Sequence, residues 1–147
     1  MDLVRRPILA LTLVALVACG SSTARGHATI STSDGSIRVP VEIADTDAER
    51  AKGLSGRDRL APDDGMAFVF EQPSTSSFWM KDTSIPLSIA FWDAAGRIVG
   101  IMDMPPCRSD PCRLYRPDRP YVGALEVNRG LFDAHGVTEG DQLVLDT

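Results

Sequence analysis

The string Phe78, Trp79, Met80, Lys81, Asp82, Thr83 places two aromatic rings, a thioether, an ammonium and a carboxylate side by side. Along an extended strand, neighbours alternate between faces, so Phe78 and Met80 share one side and Trp79 and Lys81 the other. An indole beside an ammonium makes a platform on which a ring can stack while the cation holds an anionic or hydroxylated group. The alternative is plainer: Phe78 and Met80 fill a core, and Lys81 pairs with Asp82 or another surface acid. A second cluster runs from Glu126, Val127, Asn128, Arg129 and Gly130 to His135, Gly136, Gly140 and Asp141. Glu126 lies within an apolar run. If it faces inward it needs a partner, for which Lys81 or Arg129 is available. Glu126 with Lys81 would supply an acid and a base. His135 brings the one side-chain type that ordinarily changes charge near neutral pH, although a histidine ending a short helix is also accounted for by the helix dipole. The candidate ligand-binding residues are therefore Trp79, Lys81, Asp82, Glu126 and His135.

No Gly-x-Ser-x-Gly elbow, phosphate-cradling glycine loop or helix with paired metal ligands is present. With His27 and His135 the only histidines, the chain offers no convincing metal-ligand set, and neither a metal nor a cofactor is expected. Cys107 and Cys112 bracket the turn-rich stretch Arg108, Ser109, Asp110, Pro111. In an exported chain such a pair reads as a disulfide. A redox dithiol or a metal pair are the alternatives, but a thioredoxin-type motif has two intervening residues rather than four.

Export is read from the N-terminus. Arg5 and Arg6 precede an apolar run from Ile8 to Ala18, too short for an ordinary membrane span and suited to a secretory signal. Leu16, Val17, Ala18, Cys19, Gly20 resembles the lipobox of bacterial lipoproteins, in which the cysteine is lipidated and becomes the mature N-terminus. Residues 1–18 are then signal peptide, 19–27 a polar tether and 28–147 one domain, exported and anchored to a bacterial membrane in the cell envelope through Cys19. A plain signal peptide cleaved near Ala18 is the alternative. The net charge of −5 and the lack of a basic run argue against nucleic acid as a partner.

The elements that must position these groups are mostly strands. Ala28–Thr32 and Ser36–Ile43 flank the turn chemistry of Ser33, Asp34 and Gly35. Thr46 with Glu49 forms a capping box for a helix of about two turns that Gly53 can end. Further strands are expected at Met66–Phe70, Phe78–Lys81, Leu87–Trp92, Arg97–Met104, Val122–Val127 and Gln142–Leu145, and a second short helix at Arg129–His135 with Asn128 as its N-cap. The connection from Pro105 to Pro120 carries five of the ten prolines, so it is functional or fixed by its disulfide. The expected fold is mainly β, a sandwich or small barrel of mostly antiparallel strands with two short helices.

Asp45, Ala48, Glu49, Arg50, Lys52, Gly53, Leu54 and Gly56, then Gly65, Met66 and Phe68, then Phe78 to Thr83 with Ile85, Pro86 and Leu87, then Glu126, Val127, Gly130, His135, Gly136, Gly140 and Asp141 make the chain similar to the family called domain of unknown function 192. The resemblance spans about Ile37 to Leu145. It implies a compact β-rich fold, often exported or lipid-anchored, and no established activity. Asp82 stands where the family usually has Asn, and Ser88 where it often has an acid. The leading expectation is a non-enzymatic envelope lipoprotein that binds a small polar or saccharide-like ligand, or a protein partner, near Trp79, Lys81 and the disulfide loop. The alternatives are an envelope hydrolase or lyase using Lys81, Glu126 or His135, and a structural accessory of a membrane complex.

Overall fold

Alternating apolar and polar residues start the chain as a hairpin. In the computed structural model, which describes residues 23–147, β1 (Ala24–Thr32) and β2 (Gly35–Ala44) pair antiparallel around Ser33 and Asp34. Residues 1–18, expected to be a signal peptide, and Cys19 fall outside the described residues. β1 begins four residues earlier than expected, within the stretch read as tether, because Ala24 to His27 continue the ladder opposite Ile43 to Pro40.

Helix α1 (Asp47–Lys52) follows as its capping box dictates. The Thr46 hydroxyl accepts from the Glu49 backbone N–H, and the Glu49 carboxylate accepts from the Thr46 N–H. The chain then crosses over to β3 (Gly65–Ser74), which runs parallel to β2. β4 (Phe78–Trp79), β5 (Leu87–Trp92), β6 (Ile98–Met104), β7 (Leu114–Tyr115), β8 (Tyr121–Asn128), α2 (Leu131–Ala134) and β9 (Gln142–Asp146) complete the order.

Seven strands form one mixed sheet in the order β6-β5-β8-β3-β2-β1-β9, and β4 with β7 makes a separate two-stranded ribbon. Apart from the β2–β3 pair, the ladders are antiparallel. The two edges of the large sheet approach at an Arg97–Gln142 bridge, where Gly140 N–H donates to the Ile98 carbonyl at 2.8 Å, but no continuous ladder closes it into a barrel. The fold is mainly β.

Strand alternation divides the core in two. Ile30, Val41, Trp92, Leu125, Val127 and Phe132 belong to one cluster. Phe68, Met80, Leu87, Phe91, Met104 and Tyr121 belong to the other. β5 contributes to both, and all six of its residues are buried. Its Trp92 lies against the backbone of β8, where a β-carbon on Gly123 would sit 2.0 Å from the indole Cζ2; only glycine admits the ring there.

Three local expectations are corrected. Asn128 does not cap α2. Its amide instead donates to the carbonyls of Leu60, Ala61 and Pro62 at 3.3, 2.8 and 3.3 Å, and Gly130, in the left-handed region at φ 88°, starts the helix. β4 stops at Trp79 because the chain turns at once, with Thr83 N–H donating to the Met80 carbonyl. The connection 105–120 contains β7, whose two residues were too few to register as a strand pattern. Cys107 and Cys112 are bridged, with Cα atoms 5.5 Å apart, so the disulfide expected for this connection is present.

Candidate functional site

Among the described residues, Glu126 is the most unusual side chain. It sits on β8, a central strand, opposite Met66 of β3 and Ile89 of β5, so the sheet aims its carboxyl toward the face that holds Met80, Phe68 and Phe91. It is 5% exposed, and among the described residues no group hydrogen-bonds or ion-pairs with its carboxyl. Burial with no compensating charge pushes its pKa from 4.5 up to about 8. Its carboxyl oxygens are not among fully buried, unpartnered atoms, so the acid keeps contact with the open space it faces, and that space requires explanation.

That space is a cleft of about 420 Å³ between the C-terminal end of α1 and the segment from Ser76 to Thr83, with Glu126 in its lining. The volume suits a small ligand. Phe68, Phe70, Phe78 and Trp79 supply aromatic surface, and Ser55, Ser76, Ser77 and Thr83 contribute hydroxyl-bearing side chains.

One wall is held by aromatic packing. Phe78 meets Phe68 edge-on at 5.0 Å and Phe91 at 5.6 Å, and Phe91 in turn meets Tyr121 at 4.8 Å. The Tyr121 hydroxyl donates to the Ser76 carbonyl at 2.7 Å and pins the approach to β4; burial raises its pKa. With Phe78 and Met80 directed inward, Trp79 is left 59% exposed beside its cross-strand partner Leu114, 60% exposed.

The Met80–Thr83 turn then presents Lys81 and Asp82 at the cleft mouth. Asp82 has φ 55°, the left-handed conformation that the third position of a type II turn requires and that Asp and Asn tolerate best among residues with a side chain. This gives a backbone reason why Asp can stand where the resemblance implies Asn. The turn is tied to the segment after α1 by Gly56 N–H donating to the Asp82 carbonyl at 2.8 Å.

The facing wall is anchored by Arg50. Its guanidinium donates to the Asp45 carbonyl, to the Val69 carbonyl at 2.8 Å and to the Asp47 carboxylate at 2.5 Å, and lies 5.1 Å from the Phe70 ring centre. This fixes α1 on β3. Nearby, Arg57 makes a two-pronged pair with Glu42 at 2.7 and 2.6 Å, which lowers the Glu42 pKa.

Of the residues singled out by sequence, Trp79, Lys81, Asp82 and Glu126 line this one cleft. His135 does not: it is exposed at the C-cap of α2 and absent from the cleft lining. Neither expected partner reaches Glu126. Lys81 makes no ion pair with it, and Arg129 is engaged elsewhere, its Nε 3.0 Å from Asp103 Oδ2. The buried Ser88 belongs to that second network, donating to Asp103 Oδ1 at 2.7 Å and accepting from Gly130 N–H at 3.1 Å. Sequence reasoning missed Arg50, Lys52 and Phe68 as cleft residues. The capping box located α1, but no local signal says which sheet face the helix end will cover. Among the described residues no cluster of three or more metal-ligating side chains occurs, and no helix is long and apolar enough to cross a membrane.

The sequence matches the DUF192 family, described as "Uncharacterized ACR", over residues 29–145. A solved structure from Sinorhizobium meliloti 1021, of a protein described as a candidate transcription regulator, superposes with a TM-score of 0.77 at 31% identity, covering 86% of this chain and 97% of that one. A second, of a protein of unknown function from Novosphingobium aromaticivorans DSM 12444, gives a TM-score of 0.78 at 31% identity, covering 92% and 94%. No curated protein matches the chain.

Proposed function

The chain belongs to the DUF192 family, and from its cleft we propose that it is a membrane-anchored envelope protein that binds a small, polar, saccharide-like ligand between α1 and the Met80–Thr83 turn. The observation that carries this reading is Glu126, a buried acid with no protein partner in the lining of an aromatic cleft. A protonated carboxyl offers one donor and one acceptor, the complement of a ligand hydroxyl. Exposed Trp79 supplies a stacking surface for an apolar ring face, and the serine and threonine side chains suit an edge rich in hydroxyls.

Two features of the chain bear on other readings. Of the residues on which an enzyme reading rests, Lys81, Glu126 or His135, the first two line the cleft and His135 does not. The description of the Sinorhizobium relative would call for a basic nucleic-acid face, whereas this chain is acidic at net −5.

Screening the full chain against mono- and disaccharides by thermal shift tests the proposal, since a true ligand raises the melting temperature by mass action. Lys81→Ala is expected to change the unfolding free energy by no more than about 0.5 kcal/mol, because the side chain is exposed and makes no ion pair among the described residues. The same variant should weaken the ligand found in the screen by about tenfold, the worth of one charge-assisted hydrogen bond. Unchanged affinity in Lys81→Ala would remove Lys81 from the site. The anchoring half of the proposal rests on Cys19 and the residues before it. Cys19→Ser should move the protein from the membrane pellet to the soluble fraction without altering its unfolding curve, and a variant that still pellets after a high-salt wash would overturn the anchor.

A further inference from the structure

The cleft is a cationic site on an acidic protein. The whole chain has 20 Asp and Glu against 15 Lys and Arg, yet Arg50, Lys52 and Lys81 line the cleft against only Asp82 and Glu126. Glu126, buried and without a cation beside it, is held in its neutral form near pH 7. With Arg50 ion-paired to Asp47, that leaves Asp82 opposed to Lys52 and Lys81.

The cations are not equivalent. Arg50 is committed to Asp47, to two backbone carbonyls and to the Phe70 ring, and its work is structural. Lys52 and Lys81 are exposed and form no ion pair among the described residues; Lys52 is within electrostatic reach of Glu42, but that carboxylate is taken by Arg57. The two lysines come from opposite walls, Lys52 from the end of α1 and Lys81 from the Met80–Thr83 turn. Each offers three donors and no acceptor, so what both can hold is an anion.

Building on the ligand-binding reading above, we infer that the ligand is an anionic hydroxylated molecule, a sugar acid or sugar phosphate, with its anion held by Lys52 and Lys81 and its hydroxylated ring placed between Trp79 and Glu126. The aromatic and hydroxyl-bearing surface accounts for the ring, and the two unpaired cations account for the charge.

Trp79 reports on the test directly, since of the two tryptophans Trp92 is 7% exposed and Trp79 59%. The full chain is titrated with glucuronate, glucose 6-phosphate, glucose and inorganic phosphate while tryptophan emission is followed. The inference expects one or both sugar anions to bind at least tenfold tighter than glucose and inorganic phosphate, and the Lys52→Met, Lys81→Met double variant to reduce them to the level of glucose. Equal affinity for glucose and both sugar anions would overturn the anionic ligand while leaving saccharide binding intact. Phosphate binding as tightly as the sugar phosphate would mean a bare anion site and overturn the hydroxylated half. Saturable binding of none of the four would overturn this inference together with the saccharide reading.

Discussion

Replacing Glu126 with Leu is expected to raise the unfolding free energy at pH 8 by about 4 kcal/mol and at the same time to abolish ligand binding. The stability gain follows from where the proton sits. In the unfolded chain the carboxyl ionises near its ordinary 4.5, and in the folded chain burial holds the proton up to about 8. Between those values the folded state binds more protons than the unfolded state, so stability is fully present below about pH 4.5, falls as pH rises, and levels off once the folded group has ionised. Leucine carries no proton and fits the apolar surroundings of Met66 and Ile89, so the variant loses this slope. Glu42 acts in the opposite sense: Arg57 lowers its pKa, so its contribution is lost as pH falls into the acid range.

Urea unfolding of both proteins at intervals from pH 5 to 8 is the measurement, with the two curves diverging as pH rises. Glu126→Gln separates charge from hydrogen bonding. It should share most of the gain at pH 8 but keep a donor and an acceptor in the cleft, and so retain weak binding where Leu has none. A wild-type stability that is flat across this range would mean the acid is not held neutral by burial, and the site would lose its central feature. A substitution that stabilises the fold while removing function is the signature of a group whose burial serves a ligand rather than the core.

Local chemistry was legible in the sequence where it is self-contained. Thr46 and Glu49 satisfy each other's backbone whatever the rest of the chain does, and Leu87–Trp92 is a strand with the expected ends because Pro86 and the turn after Trp92 punctuate it. Asn128 misled because its amide serves equally as a helix cap or as a clamp on distant carbonyls, and the choice was made by a loop some 66 to 68 residues away. The cleft was half legible. Trp79, Lys81 and Asp82 announce themselves by being adjacent, and Glu126 by being an acid in an apolar strand. Arg50 and Lys52 face them only because β2 and β3 pair in parallel, which brings the end of α1 over the Phe68 face of the sheet. Parallel pairing has no local signature at this length. His135 fell outside the cleft for the same reason in reverse, as sequence proximity to Glu126 says nothing of direction once α2 intervenes.

Phe91→Ala should cost about 4 kcal/mol of stability and, unlike most core truncations, weaken the ligand as well. Phe91 is fully buried on β5, with Tyr121 edge-on at 4.8 Å and Phe78 at 5.6 Å. Truncation removes the buried ring, leaves a cavity in a cluster whose other members are themselves held by one another, and forfeits two aromatic pairs. The binding effect comes through Phe78. That ring keeps β4 seated so that Trp79 and the Met80–Thr83 turn stand at the mouth of the cleft; without Phe91 beneath it, the wall has fewer positions it must occupy and more that it can. Phe91→Leu is the control, filling most of the volume at a cost of about 1.5 kcal/mol. The expected pattern is a graded loss of both stability and affinity from wild type through Leu to Ala, read by urea unfolding and by Trp79 emission under conditions where each variant is fully folded. Affinity that stays at the wild-type value in folded Phe91→Ala would show that the aromatic cluster supports the fold without positioning the cleft wall.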